Sequence, residues 1–165
     1  MTIVEDYRAL PERIAARMQE LGGAEGFALT NGCFDLLHVG HVRLLREARE
    51  EGDLLVVAVN VDEVVRASKG EGRPLVPLAE RMEMLDALYM VDFVTSFPEP
   101  TADALIRHLR PDVYVKGTDW TAETVPERES AAAVGARIAI CGDSKTHASS
   151  ALAARLTGTS RTDRR

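Results

Sequence analysis

The sequence is poor in lysine. Of its 20 basic residues only Lys69, Lys116 and Lys145 are lysines, and the rest are arginines. A bias that puts arginine wherever either cation serves makes these three candidates for places where a compact ammonium must meet a phosphate, with chance placement as the alternative. Positive charge is scarce overall: 26 acidic residues outweigh the bases and leave a net charge of -6, which argues against a broad nucleic-acid surface. Cysteine is limited to Cys33 and Cys141, each ending an apolar run. That excludes a disulfide framework and fits two buried thiols in a reducing compartment. No apolar run approaches the ~20 residues that span a bilayer. The start, Met1-Thr2-Ile3-Val4-Glu5-Asp6, lacks the basic region and apolar core of a secretory signal, so a cytoplasmic protein with no membrane partner is expected.

What is present suits one globular domain. The chain has 165 residues, 45% hydrophobic and 28% charged, enough to bury roughly 70% of the unfolded surface around a single core. Residues 4 to 21 carry Val4, Tyr7, Leu10, Ile14, Met18 and Leu21 at helical spacing, closed by Gly22-Gly23, and predict an amphipathic helix. The period then changes. Phe27-Ala28-Leu29-Thr30 reads as a strand, Val42 to Glu51 as a helix, and Leu54 to Val59 as a strand apolar throughout, the pattern of a strand covered on both faces. Helices over 80–88, 102–109, 128–134 and 149–156 alternate with strands over 93–95, 113–115 and 137–140. This alternation predicts an α/β fold, a three-layer Rossmann-like parallel sheet of about five strands with helices on both faces. Residues 1–24 would form a helical extension, 25–156 the domain, and 157–165 a disordered polar tail.

Chemistry concentrates in the first strand-to-helix turn, Asn31-Gly32-Cys33-Phe34-Asp35-Leu36-Leu37-His38-Val39-Gly40-His41. Two histidines three apart, where a strand ends and a helix begins, would aim two imidazoles into one anion-binding pocket. Backbone N–H groups and the helix dipole add positive potential, and Gly40 permits close approach of a phosphate. Half of a metal site, or two unrelated structural histidines, are the alternatives; no cysteine or carboxylate cluster at ligand spacing completes a metal site. A dinucleotide fingerprint fails, because Gly22, Gly23 and Gly26 precede the strand instead of following it. A Walker loop fails because Ser144 precedes Lys145-Thr146 where glycine is required.

Gly32-Cys33-Phe34-Asp35-Leu36-Leu37-His38-Val39-Gly40-His41 resembles the G-x-F-D-x-x-H-x-G-H signature of the nucleotidyltransferase superfamily. The adenylyltransferase domain of bacterial ADP-heptose synthases is especially similar, through Gly52-Asp53, Lys69-Gly70, Arg73-Pro74, Glu80-Arg81-Met82, Val91-Asp92, Pro111-Asp112 and Val115-Lys116-Gly117. The resemblance covers roughly residues 25 to 155 and implies attack by an acceptor phosphate on the α-phosphorus of a nucleoside triphosphate, releasing pyrophosphate. It implies that His38, His41, Lys69 and Arg81 are catalytic, with Arg81 contacting phosphate. Nucleotide binding would fall to Cys33, Phe34, Gly40, Lys116, Gly117, Asp119, Trp120, Ser149 and Ser150, and acceptor binding to Asn31 and Asp35.

Each assignment has a plainer alternative: a solvated helix end for Lys69, a surface arginine for Arg81, a core indole for Trp120, an empty N-cap for Ser149. Thr118 and Trp120 replace a common glycine and tyrosine of the heptose enzymes, and Asp143 stands where cytidylyltransferases carry arginine, which counts against CTP. The resemblance further implies Mg²⁺ bound mainly through the triphosphate, no protein metal site, a homodimer, and ATP with D-glycero-D-manno-heptose 1-phosphate as substrates. A separate sugar kinase would supply the acceptor, since the heptose enzymes fuse one and this chain is too short to hold it. Rival readings are the same chemistry on GTP with a heptose phosphate or CTP with glycerol 3-phosphate, and a non-catalytic nucleotide-binding module.

Overall fold

The computed structural model describes residues 2–23 and 26–143. The predicted helix over 149–156, the tail, Lys145, Ser149 and Ser150 lie outside the described residues. Six strands form one sheet: β1 (Ile3–Asp6), β2 (Phe27–Gly32), β3 (Leu54–Asn60), β4 (Phe93–Phe97), β5 (Val113–Gly117) and β6 (Arg137–Cys141). Their spatial order is β1-β4-β3-β2-β5-β6, and every pairing is parallel. The helices are α1 (Leu10–Glu20), α2 (Val39–Glu50), α3 (Asp62–Lys69), α4 (Leu78–Asp86), α5 (Asp103–Leu109) and α6 (Arg128–Val134).

The alternation of strand side chains divides the interior in two. Phe27 and Leu29 of β2 with Leu54, Val56 and Ala58 of β3 face Leu10 and Ile14 of α1, Leu105 and Ile106 of α5 and Ala131 of α6. Ala28, Leu55, Val57 and Val59 face the other way, onto Leu45 and Ala48 of α2 and Met82 and Leu85 of α4. All seven residues of β3 are buried, which is why its sequence is uninterrupted by polar residues before Asn60. Two aspartates fasten the strand entries: Asp92 Oδ2 accepts the Leu55 N–H at 2.8 Å and Asp112 Oδ2 the Phe27 N–H at 2.9 Å. Each sits just before one strand and bonds its neighbour in the sheet.

The sheet has six strands, not about five, and the sixth comes from the segment predicted to be helical. Residues 3–6 pair with β4, with Ile3 opposite Val94 and Val4 opposite Thr95, a short 3₁₀ turn follows over Tyr7–Ala9, and α1 starts only at Leu10. Val4, Tyr7 and Leu10 are all buried as their spacing suggests, but burial of Val4 is achieved at a sheet edge rather than on a helix face. Tertiary pairing outweighs local periodicity over so short a stretch.

From β2 the chain proceeds outward through β3 and β4, while β5 and β6 lie on its opposite side. The reversal falls between β2 and β5, and a crevice opens there beyond the carboxyl ends of the strands. The turn into β3 brings Gly52 against β2: a Cβ on Gly52 would lie 2.8 Å from the Ala28 nitrogen and 3.1 Å from the Phe27 carbonyl carbon. Backbone cannot retreat as a side-chain tip can. The Gly52→Ala variant is expected to unfold at lower urea, at a cost of about 1–3 kcal/mol, and an unchanged midpoint would show that β2 yields freely.

Candidate active site

The loop leaving β2 turns sharply at Phe34, a non-glycine residue with φ of 48°, a conformation that side chains adopt only when surroundings enforce it. Its ring is buried and packs against the His41 ring at 5.3 Å between centroids. His38 occupies the N-cap position of α2 and its carbonyl accepts the His41 N–H at 2.9 Å. The two imidazoles are stacked, 3.9 Å apart and 22° from parallel. They sit at the positive end of α2, where an anion gains from both dipole and free amides.

These residues line a cavity of about 630 Å³ over the β2–β5 reversal, within the size range of small-molecule sites. Around it stand Asn31 of β2, Cys33, Phe34 and His38 of the loop that follows, Gly40 and His41 of α2, Lys69 and Arg73 from the end of α3 and the loop beyond, Lys116 and Gly117 of β5, and Asp119 and Trp120 just past it. The structure thus gathers eleven of the residues singled out in the sequence and adds Arg73 to them. Trp120 is not a core indole: it is 37% exposed on the rim, with the Lys116 ammonium 6.0 Å from its ring centroid. Thr118 donates to the Asp143 carbonyl at 2.8 Å and the Asp143 carboxylate pairs with Arg43, closing the rim.

His41 is the most perturbed group here. Burial, and then the nearby charges of His38 and Lys69, push its pKa down from 6.5 to about 4, so the ring is neutral at neutral pH and its buried Nδ1 has no hydrogen-bond partner. A neutral imidazole still donates one N–H while leaving the charge to Lys69. An arriving polyphosphate would reverse the sign of the local field and raise this pKa.

Two expected ligand contacts are corrected. Arg81 does not face the cavity: its side chain is 0% exposed. Its guanidinium donates to the carbonyls of Val76 (3.0 Å), Asn60 (2.9 Å) and Cys33, and to Asp62 Oδ1 at 2.6 Å. Asp35 is likewise 0% exposed and does not meet an acceptor. Its Oδ1 accepts the N–H groups of Leu75 (2.6 Å) and Val76 (3.0 Å), and its Oδ2 lies 2.6 Å from Arg73 Nη2. Both residues hold the walls of the site from behind. A fully desolvated carboxylate or guanidinium persists only when so completely paired. Lysine cannot reproduce a planar fork spanning three carbonyls. Arg81→Lys is therefore expected to lower stability by about 3–5 kcal/mol in chemical unfolding; a loss below about 1 kcal/mol would mean the pairing is dispensable.

The chain matches the cytidylyltransferase-like family over residues 29–152. It is 44% identical over 138 residues to the bifunctional protein HldE of Hydrogenovibrio crunogenus, covering 82% of this chain and 29% of that protein. Against HldE of Streptomyces coelicolor it is 50% identical over 117 residues, covering 71% and 25%. The chain spans less than a third of the length of these relatives. Among solved structures, a lipopolysaccharide core biosynthesis protein from Thermoplasma volcanium superposes with a TM-score of 0.64 at 25% identity, covering 74% of this chain and all of that one. Pantothenate synthetase from Thermus thermophilus shares the fold, with a TM-score of 0.57 at 15% identity over 85% of this chain and 61% of that one. With the match spanning the histidine turn, both sides of the cavity and most of the sheet, the chain belongs to the cytidylyltransferase-like family of nucleotidyltransferases.

Proposed function

We propose that the protein transfers adenylate from ATP to a sugar 1-phosphate, D-glycero-D-manno-heptose 1-phosphate, giving ADP-heptose and pyrophosphate. One observation carries this reading: the stacked His38–His41 pair at the amino end of α2 shares a single cavity with Lys69 and Arg73 and, from β5, with Lys116. The cavity therefore has donors for a triphosphate and for a second phosphate. The similarity to HldE proteins and to a lipopolysaccharide core biosynthesis protein supports a sugar phosphate as acceptor.

In this reaction an acceptor phosphate oxygen forms a bond to the α-phosphorus while the bond from that phosphorus to the β-bridging oxygen breaks. The nucleophile is already an anion, so no general base is required. Catalysis rests on alignment and on stabilising the charge that accumulates on pyrophosphate. His38 and His41 would donate to the α- and β-phosphates, Lys69 would neutralise the departing end, and Trp120 would lie along the base. Mg²⁺ would be held mainly by triphosphate oxygens and water, with a rim carboxylate such as Asp119 as at most one protein ligand. When bound it would neutralise phosphate charge. Among the described residues no helix is long and apolar enough to cross a membrane.

The assay is pyrophosphate release from each of four nucleoside triphosphates against a panel of phosphorylated acceptors. ATP with heptose 1-phosphate is expected to give the highest kcat/KM; no release from any pair would refute the reading, and a preference for GTP or CTP would reassign the base. His38→Ala and His41→Ala should each lower kcat by about 10²–10³-fold without altering the circular dichroism spectrum.

A pH titration followed by NMR tests the electrostatics without turnover. The His41 ring should titrate near 4 in the free protein and at higher pH with a triphosphate present. Because the folded-state value is depressed, the unfolded chain binds the proton more readily between 6.5 and 4, and stability should fall as the pH drops through that window. A free-protein titration near 6.5 would contradict the buried, cation-flanked environment.

A further inference from the structure

Behind Lys116 and Asn31, which line the cavity, stands a carboxylate to which the reaction above assigns nothing. Glu127, in the connection before α6, is only 5% exposed. Its Oε2 is buried without a hydrogen bond, and its cationic neighbour is Lys116, with Nζ 3.6 Å away. A carboxylate is not desolvated in this way without a partner that compensates it. The Lys116 ammonium also reaches Asn31 Oδ1 at 3.3 Å and the Tyr114 hydroxyl at 3.4 Å, and that hydroxyl donates to the same Asn31 oxygen at 2.7 Å.

The cluster fixes the sense of the Asn31 amide. An ammonium can only donate, so the atom facing it is the oxygen, which leaves the amide N–H₂ as the arm available to a ligand in the cavity that Asn31 lines. Lys116 lines the same cavity, and its three contacts are long, the geometry of a group that tightens when an anion arrives. Facing Lys116 are Glu127, Tyr114 of its own strand and Cys33 of the loop after β2. Burial lowers the lysine's pKa, and Glu127 opposes that shift most strongly.

We propose that Glu127 is a positioning residue that acts through Lys116: it keeps the buried ammonium charged and seated against Asn31, so that Lys116 and the Asn31 amide together receive one anionic group of the substrate. The identification of that group as a phosphate rests on the nucleotidyl-transfer reading; the coupling of Glu127 to Lys116 does not. Without the carboxylate, the desolvated lysine would give up its proton at lower pH, and the Tyr114 hydroxyl would remain the principal donor to the Asn31 oxygen.

The scarcity of lysine makes the test direct. Protein grown on lysine labelled with ¹³C at Cε presents only Lys69, Lys116 and Lys145, and loss of one resonance in Lys116→Arg assigns the second. In Glu127→Gln the Lys116 titration should move down by about one pH unit or more, and Glu127→Asp, which keeps the charge, should restore part of that shift. In turnover assays of Glu127→Gln the KM for the phosphorylated acceptor or the triphosphate should rise about tenfold or more. The alkaline limb of kcat/KM should move down with the lysine.

A Lys116 titration in Glu127→Gln that matches the parent protein would overturn the proposal, as would KM values and an alkaline limb that do not move. Should Glu127→Gln fail to fold, Glu127→Asp decides alone, since retracting the carboxylate should lower the titration measurably and an unmoved one refutes the coupling. If the parent protein turns over no substrate pair, the transfer reading falls while the titration still judges Glu127.

Discussion

A single buried guanidinium holds the catalytic end of the sheet together. Parallel strands finish with carbonyls pointing out of their carboxyl ends, and an open cavity there leaves those groups short of partners. Arg81 meets carbonyls from the loop after β2, the end of β3 and the segment before α4, and takes its counter-charge from Asp62 at the start of α3. Four chain segments are thereby tied to one planar group contributed by α4. Asp35 works in the opposite sense, offering a carboxylate to backbone N–H groups at Leu75 and Val76 and to Arg73. The two charges never meet each other, yet together they hold the loop over 70–77 against the turn that carries the histidines.

This arrangement reconciles the protein's overall charge with an anionic ligand. A net charge of -6 repels phosphate at a distance, but fields inside a crevice are set by the nearest groups and by the low polarisability of the walls. His38, His41, Lys69, Arg73 and Lys116 converge on the cavity. Arg73 and Lys116 have carboxylates, Asp35 and Glu127, within ion-pair distance. The triphosphate of the proposed reaction would meet a positive field at short range, while the acidic surroundings would disfavour an extended polyanion.

Much of this was legible in the sequence, for identifiable reasons. β3 announces itself because burial on both faces forbids polar residues, and the histidine turn does so because its functional groups are contiguous. The edge strand β1 was hidden: Val4 and Tyr7 are spaced as on a helix, and nothing local reports that β4 lies alongside. Arg81 was placed by its motif but given the wrong neighbours, since a guanidinium suits a phosphate and a set of carbonyls equally well and only packing chooses. Arg73 was visible in the Arg73-Pro74 pair without a role until the buried Asp35 supplied one. Glu127 gave no signal, being 11 positions from Lys116 and brought to it only by the passage from β5 to α6.

Trp120 stands on the rim of the cavity, and it is the only tryptophan in the chain. Indole emission from the whole protein therefore originates at one wall of one site, next to an ammonium 6.0 Å from the ring. Any ligand that covers that wall, displaces its water or draws Lys116 toward itself changes the light the protein emits. The molecule carries its own optical gauge of occupancy, native and stoichiometric, and it needs neither turnover nor a label to be read.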